Sequence, residues 1–91
     1  MDNQKLIVES LAMDLKRVSL GLYRGSHAMA ERFKQESLRR SWELENKNSN
    51  NYLRTLILKT KEVLISDSEY AAEDILMYST LFQNYALHKM G

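Results

Sequence analysis

Apolar residues recur with helical spacing in four segments of the chain, at about 4–23, 26–46, 51–65 and 68–89. With residues placed at about 100° intervals, the main apolar side chains of each segment fall on one stripe. The stripes comprise Ile7, Leu11, Leu15, Val18 and Leu22; Ala30, Phe33, Ser37 and Leu44, with Met29 at the edge; Leu53, Ile57, Thr60 and Leu64, flanked by Leu56 and Val63; and Ala71, Ile75, Tyr78, Phe82 and Tyr85. Strand-like alternation fits none of the segments as well, so the pattern predicts four amphipathic helices.

Glycine and clusters of small polar residues separate these segments, and the chain contains no proline. Gly25 followed by Ser26 predicts a glycine-terminated helix and a serine cap for the next one. Residues 47–51 form the clearest loop, and Ser66 with Glu69 three positions later has the pattern of a capping box for the fourth helix. These short polar breaks predict where each helix ends and the next begins.

Short connections between long helices favour antiparallel neighbours. We therefore expect residues 1–91 to form a single domain, an all-α, antiparallel (up-down-up-down) four-helix bundle. Gly21 is the weak point of this assignment. It lies in the last turn of the first helix, where glycine favours early fraying or a kink.

Each segment also carries a smaller apolar set on a different face. Leu6, Met13 and Leu20 are seven residues apart and form a line along the first helix, while Leu38 and Trp42 lie one turn apart and off the stripe of the second. The corresponding residues of the other segments are Leu58 and Ile65, and Leu76 and Leu87. Exposed apolar patches mark partner surfaces, and closed symmetry makes a homodimer the commonest assembly. We expect a dimer, or a larger even assembly, with Leu6, Met13, Leu20, Leu38 and Trp42 at its interface.

The second helix has the most polar stripe, with Ser37 within it and Glu36 and Arg40 at its borders. The simpler interpretation pairs Glu36 with Arg40 one turn apart on the rim of the bundle. The alternative is a buried polar network that sets the register of the helices.

Composition narrows the class of protein. The chain has no cysteine, which excludes disulfides and thiolate metal sites and fits a reducing compartment. No apolar run approaches a membrane span, and the polar start does not resemble a signal peptide, so we expect a cytoplasmic protein. The net charge is +1, but residues 47–66 hold four basic groups and one acidic group, whereas residues 67–91 hold four acidic groups and one basic group. This asymmetry suits attraction between neighbouring helices or between copies of the chain.

The sequence predicts no metal, haem or catalytic site. No glutamate is followed three positions later by histidine, the spacing used by di-iron bundles. Met13 and His88 could flank a haem at one end of the bundle, but Met13 points away from the predicted stripe. His27 and Glu31 are one turn apart, yet no nucleophile or second base accompanies them, and Glu31 suits the helix dipole. We therefore expect no cofactor and no enzymatic activity.

Nucleic-acid binding is the alternative to a function in protein interaction. The candidate phosphate contacts are Arg32, Lys34, Arg39, Arg40, Arg54, Lys59 and Lys61. Glutamates interrupt the basic residues of the second helix, and the isoelectric point of about 8.0 is low for a dedicated nucleic-acid-binding domain. The sequence therefore favours a small non-catalytic scaffold or adaptor that associates with itself and with an unknown protein partner. A weakly nucleic-acid-associated regulator is the alternative.

Overall fold

The structure, a computed structural model, describes residues 3–47, 50–66 and 70–90. Within these ranges it contains no strand and four helices: α1 (Asn3–Tyr23), α2 (His27–Lys47), α3 (Asn51–Ile65) and α4 (Ala71–Lys89). They pack into a bundle with overall dimensions of 37 × 20 × 19 Å. The predicted all-α four-helix bundle is confirmed, and the only large difference in helix bounds is the later start of α4.

Helices α1 and α2 run antiparallel and approach each other closely. Asp14 on α1 pairs with Arg40 on α2, whereas Gly21, further along α1, adjoins Ala30, which lies earlier in α2. A Cβ atom on Gly21 would lie 2.8 Å from the backbone nitrogen of Ala30. Close helix packing therefore requires glycine at this position. Helix α1 continues through Gly21 to Tyr23, so Gly21 does not end it early.

Helices α1 and α4 are also antiparallel, and two serines tie them together. The Ser19 hydroxyl donates to the carbonyl oxygen of Ala72 at 2.9 Å, and the Ser79 hydroxyl donates to that of Ala12 at 2.7 Å. Small side chains at these positions let the two backbones come close enough for a hydroxyl to span the gap. The two bonds also set the register, in which paired positions on α1 and α4 sum to 91.

Helix α3 packs against α2 and α4, diagonally opposite α1, and with fewer close backbone approaches than α1 makes. Its buried residues are Leu53, Leu56, Ile57, Thr60 and Leu64. Four of these five side chains are large, and the separation of packed helices grows with the side chains between them. This wider spacing leaves a groove between α3 and α4.

Helix α1 buries a wider face than its predicted stripe. Val8, Ala12 and Ser19 are buried beside the stripe because α1 has close neighbours on two sides. Leu22, which was expected in the core, is 36% exposed. The residues with no exposed surface are Val8, Leu11, Leu15, Val18, Ser37, Ser41, Leu44, Ile57, Thr60, Leu64 and Phe82.

The sequence predicts the junction between α1 and α2 correctly, but not the start of α4. Gly25 has a φ of 71°, and the Ser26 amide donates to the Gly21 carbonyl, closing a glycine-terminated helix end. The Ser26 hydroxyl then accepts from the Met29 amide, so the predicted serine cap is confirmed. The predicted capping box is wrong, because Ser66 ends α3 and does not cap α4. The Ser66 hydroxyl donates a hydrogen bond to the Val63 carbonyl, and α4 begins at Ala71. Glu69 lies outside the described residues.

Candidate interaction surfaces

The line along α1 is exposed over its full length. Leu6 is 51% exposed, Met13 54% and Leu20 37%. Seven-residue spacing keeps the three side chains on one side of the helix. That side differs from the faces of α1 that contact α2 and α4. We call this set, Leu6, Met13 and Leu20, the α1 line.

Opposite charges flank the α1 line on one side. Glu9 and Lys16 are both exposed, and each lies three residues after a member of the line. Helical geometry places both on the flank nearer α4. On the adjoining surface of α4, Leu76 is 38% exposed and Leu87 58% exposed. The α1–α4 register sets Leu76 level with Leu15 and Leu87 level with Gln4.

Trp42 and Leu38 lie elsewhere on the molecule. Trp42 is 59% exposed, and the Lys61 ammonium of α3 lies 4.7 Å from the centre of its ring. Lys61 also forms an ion pair of 2.8 Å with Glu45, so Trp42 marks the edge between α2 and α3. The expectation that Leu38 is exposed is wrong, because it is half-buried against the core. On α3, Leu58 and Ile65 are exposed.

A groove runs along the outer surface between α3 and α4. It consists of two cavities of about 580 and 290 Å³ that share Tyr52 and Leu81. The lining residues are Asn50, Tyr52, Thr55, Leu56, Lys59, Met77, Tyr78, Leu81, Asn84, Tyr85, His88 and Lys89. None of these is acidic. We call this feature the α3–α4 groove.

One wall of the groove is held in place by an aromatic pair. The rings of Tyr52 and Tyr85 stack with centroids 5.6 Å apart and planes 18° from parallel. Asn50 Nδ2 donates to the Tyr85 hydroxyl at 3.1 Å, while Asn50 Oδ1 accepts from the amides of Tyr52 and Leu53. Asn50 therefore caps α3 and orients a groove side chain at the same time.

The polar residues of α2 do not form the Glu36–Arg40 pair of the simpler interpretation, and the contact that Arg40 makes with a buried residue of α1 is closer to the alternative. Arg40 reaches across to Asp14, which is only 5% exposed, with 2.7 Å between Nε and Oδ2. Glu36 pairs with Arg39 instead, and that hydrogen bond and the nearby charge lower the pKa of the Glu36 carboxyl from its ordinary 4.5. Sequence analysis missed Asp14, although an acid and a base bordering the facing stripes of two helices would have indicated the pair.

The residues considered for catalysis or cofactors do not form a common site. His27 is exposed, and Glu31 accepts a hydrogen bond of 3.0 Å from Gln35 and lies 4.0 Å from the Lys34 ammonium. The α1–α4 register places Met13 level with residue 78, about 15 Å along the axis from His88. In the described ranges no three His, Asp or Glu side chains cluster as metal ligands would.

Most candidate phosphate contacts are engaged within the protein. Lys34 pairs with Glu31, Arg39 with Glu36, Arg40 with Asp14, and Lys61 with Glu45. Arg32 lies over the Phe33 ring, 5.4 Å from its centroid. These pairings disperse the positive charge and leave no uninterrupted basic stripe on α2.

Comparison with protein-family models, with curated proteins and with solved structures found no match for this chain. Among the described residues, no helix is both long enough and apolar enough to cross a membrane.

Proposed function

We propose that this protein is a small non-catalytic interaction module that self-associates through the α1 line. The observation that carries the proposal is the exposure of Leu6, Met13 and Leu20 in a single row beside complementary charges. A row of exposed apolar side chains on a small domain is the kind of surface that partners cover.

The row is self-complementary in an antiparallel pair of α1 helices. If a two-fold axis passes at Met13, then Leu6 of one copy packs beside Leu20 of the other, and the two Met13 side chains meet. Symmetry-related flanks face each other in such a pair, so Glu9 of each copy lies beside Lys16 of its partner. Both ion pairs thus form on the flank nearer α4.

The expected dimer is weak. Six partly exposed side chains enter the interface, and complete burial of one such side chain is worth roughly 1.5–3 kcal/mol. Lost translational and rotational freedom offsets much of this gain, so we expect a dissociation constant of roughly micromolar order. Such a module is suited to reversible assembly.

The proposal includes a cytoplasmic location and the absence of enzymatic activity. The cysteine-free composition is compatible with a reducing compartment. No specific observation favours nucleic-acid binding, because four of the seven candidate basic residues pair with acidic side chains. Trp42 and Leu38 are left out of the proposed interface, since Trp42 lies at the α2–α3 edge and Leu38 packs against the core.

A charge swap tests the pairing geometry. Glu9→Lys and Lys16→Glu should each weaken the dimer about tenfold, because each places like charges together twice across the two-fold axis. The double variant Glu9→Lys/Lys16→Glu should regain the wild-type dissociation constant, since both pairs are restored with reversed sign. Sedimentation equilibrium of the four proteins measures the constants.

Trp42→Ala is the control, because it removes an exposed apolar side chain far from the α1 line and should leave the dissociation constant unchanged. A double variant no tighter than either single variant would reject the antiparallel pairing. Unchanged dimerisation in both single variants would reject α1 as the interface.

A further inference from the structure

The α3–α4 groove is a second surface, and its shape and charge are independent of self-association through α1. Helix α3 stands away from α4, so the gap extends from Met77 to Lys89 along α4. These residues are twelve positions apart, which corresponds to about 18 Å along the helix. A groove of that length accommodates three turns of another helix.

The side chains that line the groove indicate which kind of partner helix it can bind. Its floor is apolar and aromatic, with Leu81 half-buried between the two cavities and the Tyr52–Tyr85 stack on one side. The charged residues that line it are two exposed lysines, Lys59 on the α3 wall and Lys89 on the α4 wall, and the acidic Glu73 adjoins Met77 and Leu81 outside the lining. Amphipathic helices bind such grooves through apolar anchors at helical spacing, and basic rims favour acidic flanks.

We propose that the α3–α4 groove binds an acidic amphipathic helix of another protein. The apolar anchors of that helix contact Leu81, Met77 and the Tyr52–Tyr85 stack, and acidic residues on its two flanks pair with Lys59 and Lys89. The ordered Tyr pair lowers the cost of binding, because Asn50 already holds the Tyr85 hydroxyl in place.

The spacing of the two lysines argues against the α4 helix of a second copy as the occupant. The Tyr52–Tyr85 stack sets Lys59 level with residue 78, eleven positions from Lys89, or about 16 Å along the groove. The exposed acidic residues of α4 nearest the groove, Glu73 and Asp74, are adjacent. One such pair can reach one lysine but not both, whereas an acidic helix offers carboxylates along its whole length.

A displayed library of 18-residue amphipathic helices tests the proposal. The apolar positions vary among Leu, Phe, Ile and Met, and each flanking position is either Glu or Lys. Selection on the wild-type protein should enrich clones with Glu flanks. Binding of these clones should fall at least tenfold with Lys59→Glu/Lys89→Glu and with Leu81→Asp.

Arg24→Glu, a charge reversal at the α1–α2 turn, is the matched control and should leave clone binding unchanged. Circular dichroism of every variant checks that the bundle is intact, and the lysine variants remain decisive if Leu81→Asp unfolds. The proposal is overturned by a selection that enriches no clones, enriches Lys flanks equally, or enriches clones insensitive to the lysine variants. It is also overturned if Lys59→Glu/Lys89→Glu converts a wild-type dimer to monomer, since a second copy then occupies the groove.

Discussion

Single residues decide how closely α1 lies to its neighbours. On the α2 side the close approach rests on glycine facing alanine, and on the α4 side it rests on two serine hydroxyls that reach backbone carbonyls. Small side chains therefore do two things here: they permit short helix separations, and the serines convert that proximity into hydrogen bonds.

Gly21→Ala should lower the free energy of unfolding by up to about 2 kcal/mol. Helix propensity alone favours alanine by about 1 kcal/mol, but the new methyl group would crowd backbone atoms of Ala30, and overpacking costs about 1–3 kcal/mol. Urea unfolding followed by circular dichroism measures the change. A more stable Gly21→Ala variant would mean that α2 can move away at no cost.

Arg40→Met should destabilise the bundle by about 1–3 kcal/mol, because Asp14 then stays buried without its closest partner. Arg17 Nη1, 3.6 Å from Asp14 Oδ1, compensates only in part. The double variant Asp14→Leu/Arg40→Met should recover most of the loss, since apolar replacement of both members of a buried pair is often tolerated. A double variant as unstable as Arg40→Met, in the same unfolding assay, would contradict this.

At the level of the helices, the start of α3 is stabilised by a single residue, Asn50. Asn50 satisfies two amides at the start of the helix and also holds Tyr85 on α4. The cap therefore links the beginning of α3 to the end of α4.

Asn50→Ala should cost about 1 kcal/mol of stability through loss of the cap. Asn50→Asp keeps the acceptor oxygen and adds a negative charge at the helix N-terminus, so it should unfold near the wild-type midpoint. Thermal denaturation of both variants separates the effects. Equal losses for the two would contradict a capping role for the side-chain oxygen of Asn50.

The sequence predicts α3 best because α3 buries essentially one face. Its bounds match, and Leu53, Ile57, Thr60 and Leu64 are all buried. Helix α1 is harder to predict because its additional buried surface includes a small and a polar residue, Ala12 and Ser19, which give only a weak apolar signal.

The surfaces likewise divide into those that one helix predicts and those that depend on how two helices pair. The exposure of the α1 line follows from helical periodicity, which is local. The α3–α4 groove depends on the spacing between helices, which arises only when two faces of different side-chain size are paired. The Asp14–Arg40 pair likewise needs the α1–α2 register, and no single helix carries that information.

For the whole molecule, the two exposed surfaces suit different partners. The α1 line is flanked by charges of both signs and matches a second copy of itself, whereas the α3–α4 groove is lined by lysines and matches an acidic helix. A protein with both would assemble in pairs and present one groove on each copy. The α1 dimer is the central claim, because it sets how many grooves one particle carries.

Multi-angle light scattering at tens of micromolar, on the wild type and on Met13→Glu, tests that claim most directly. The wild type should approach twice the chain mass of 10.7 kDa. Met13→Glu should remain helical and elute as a monomer, because two carboxylates would meet at the two-fold axis in an apolar contact. A wild-type monomer under these conditions, or a Met13→Glu protein that stays dimeric, would contradict self-association through the α1 line.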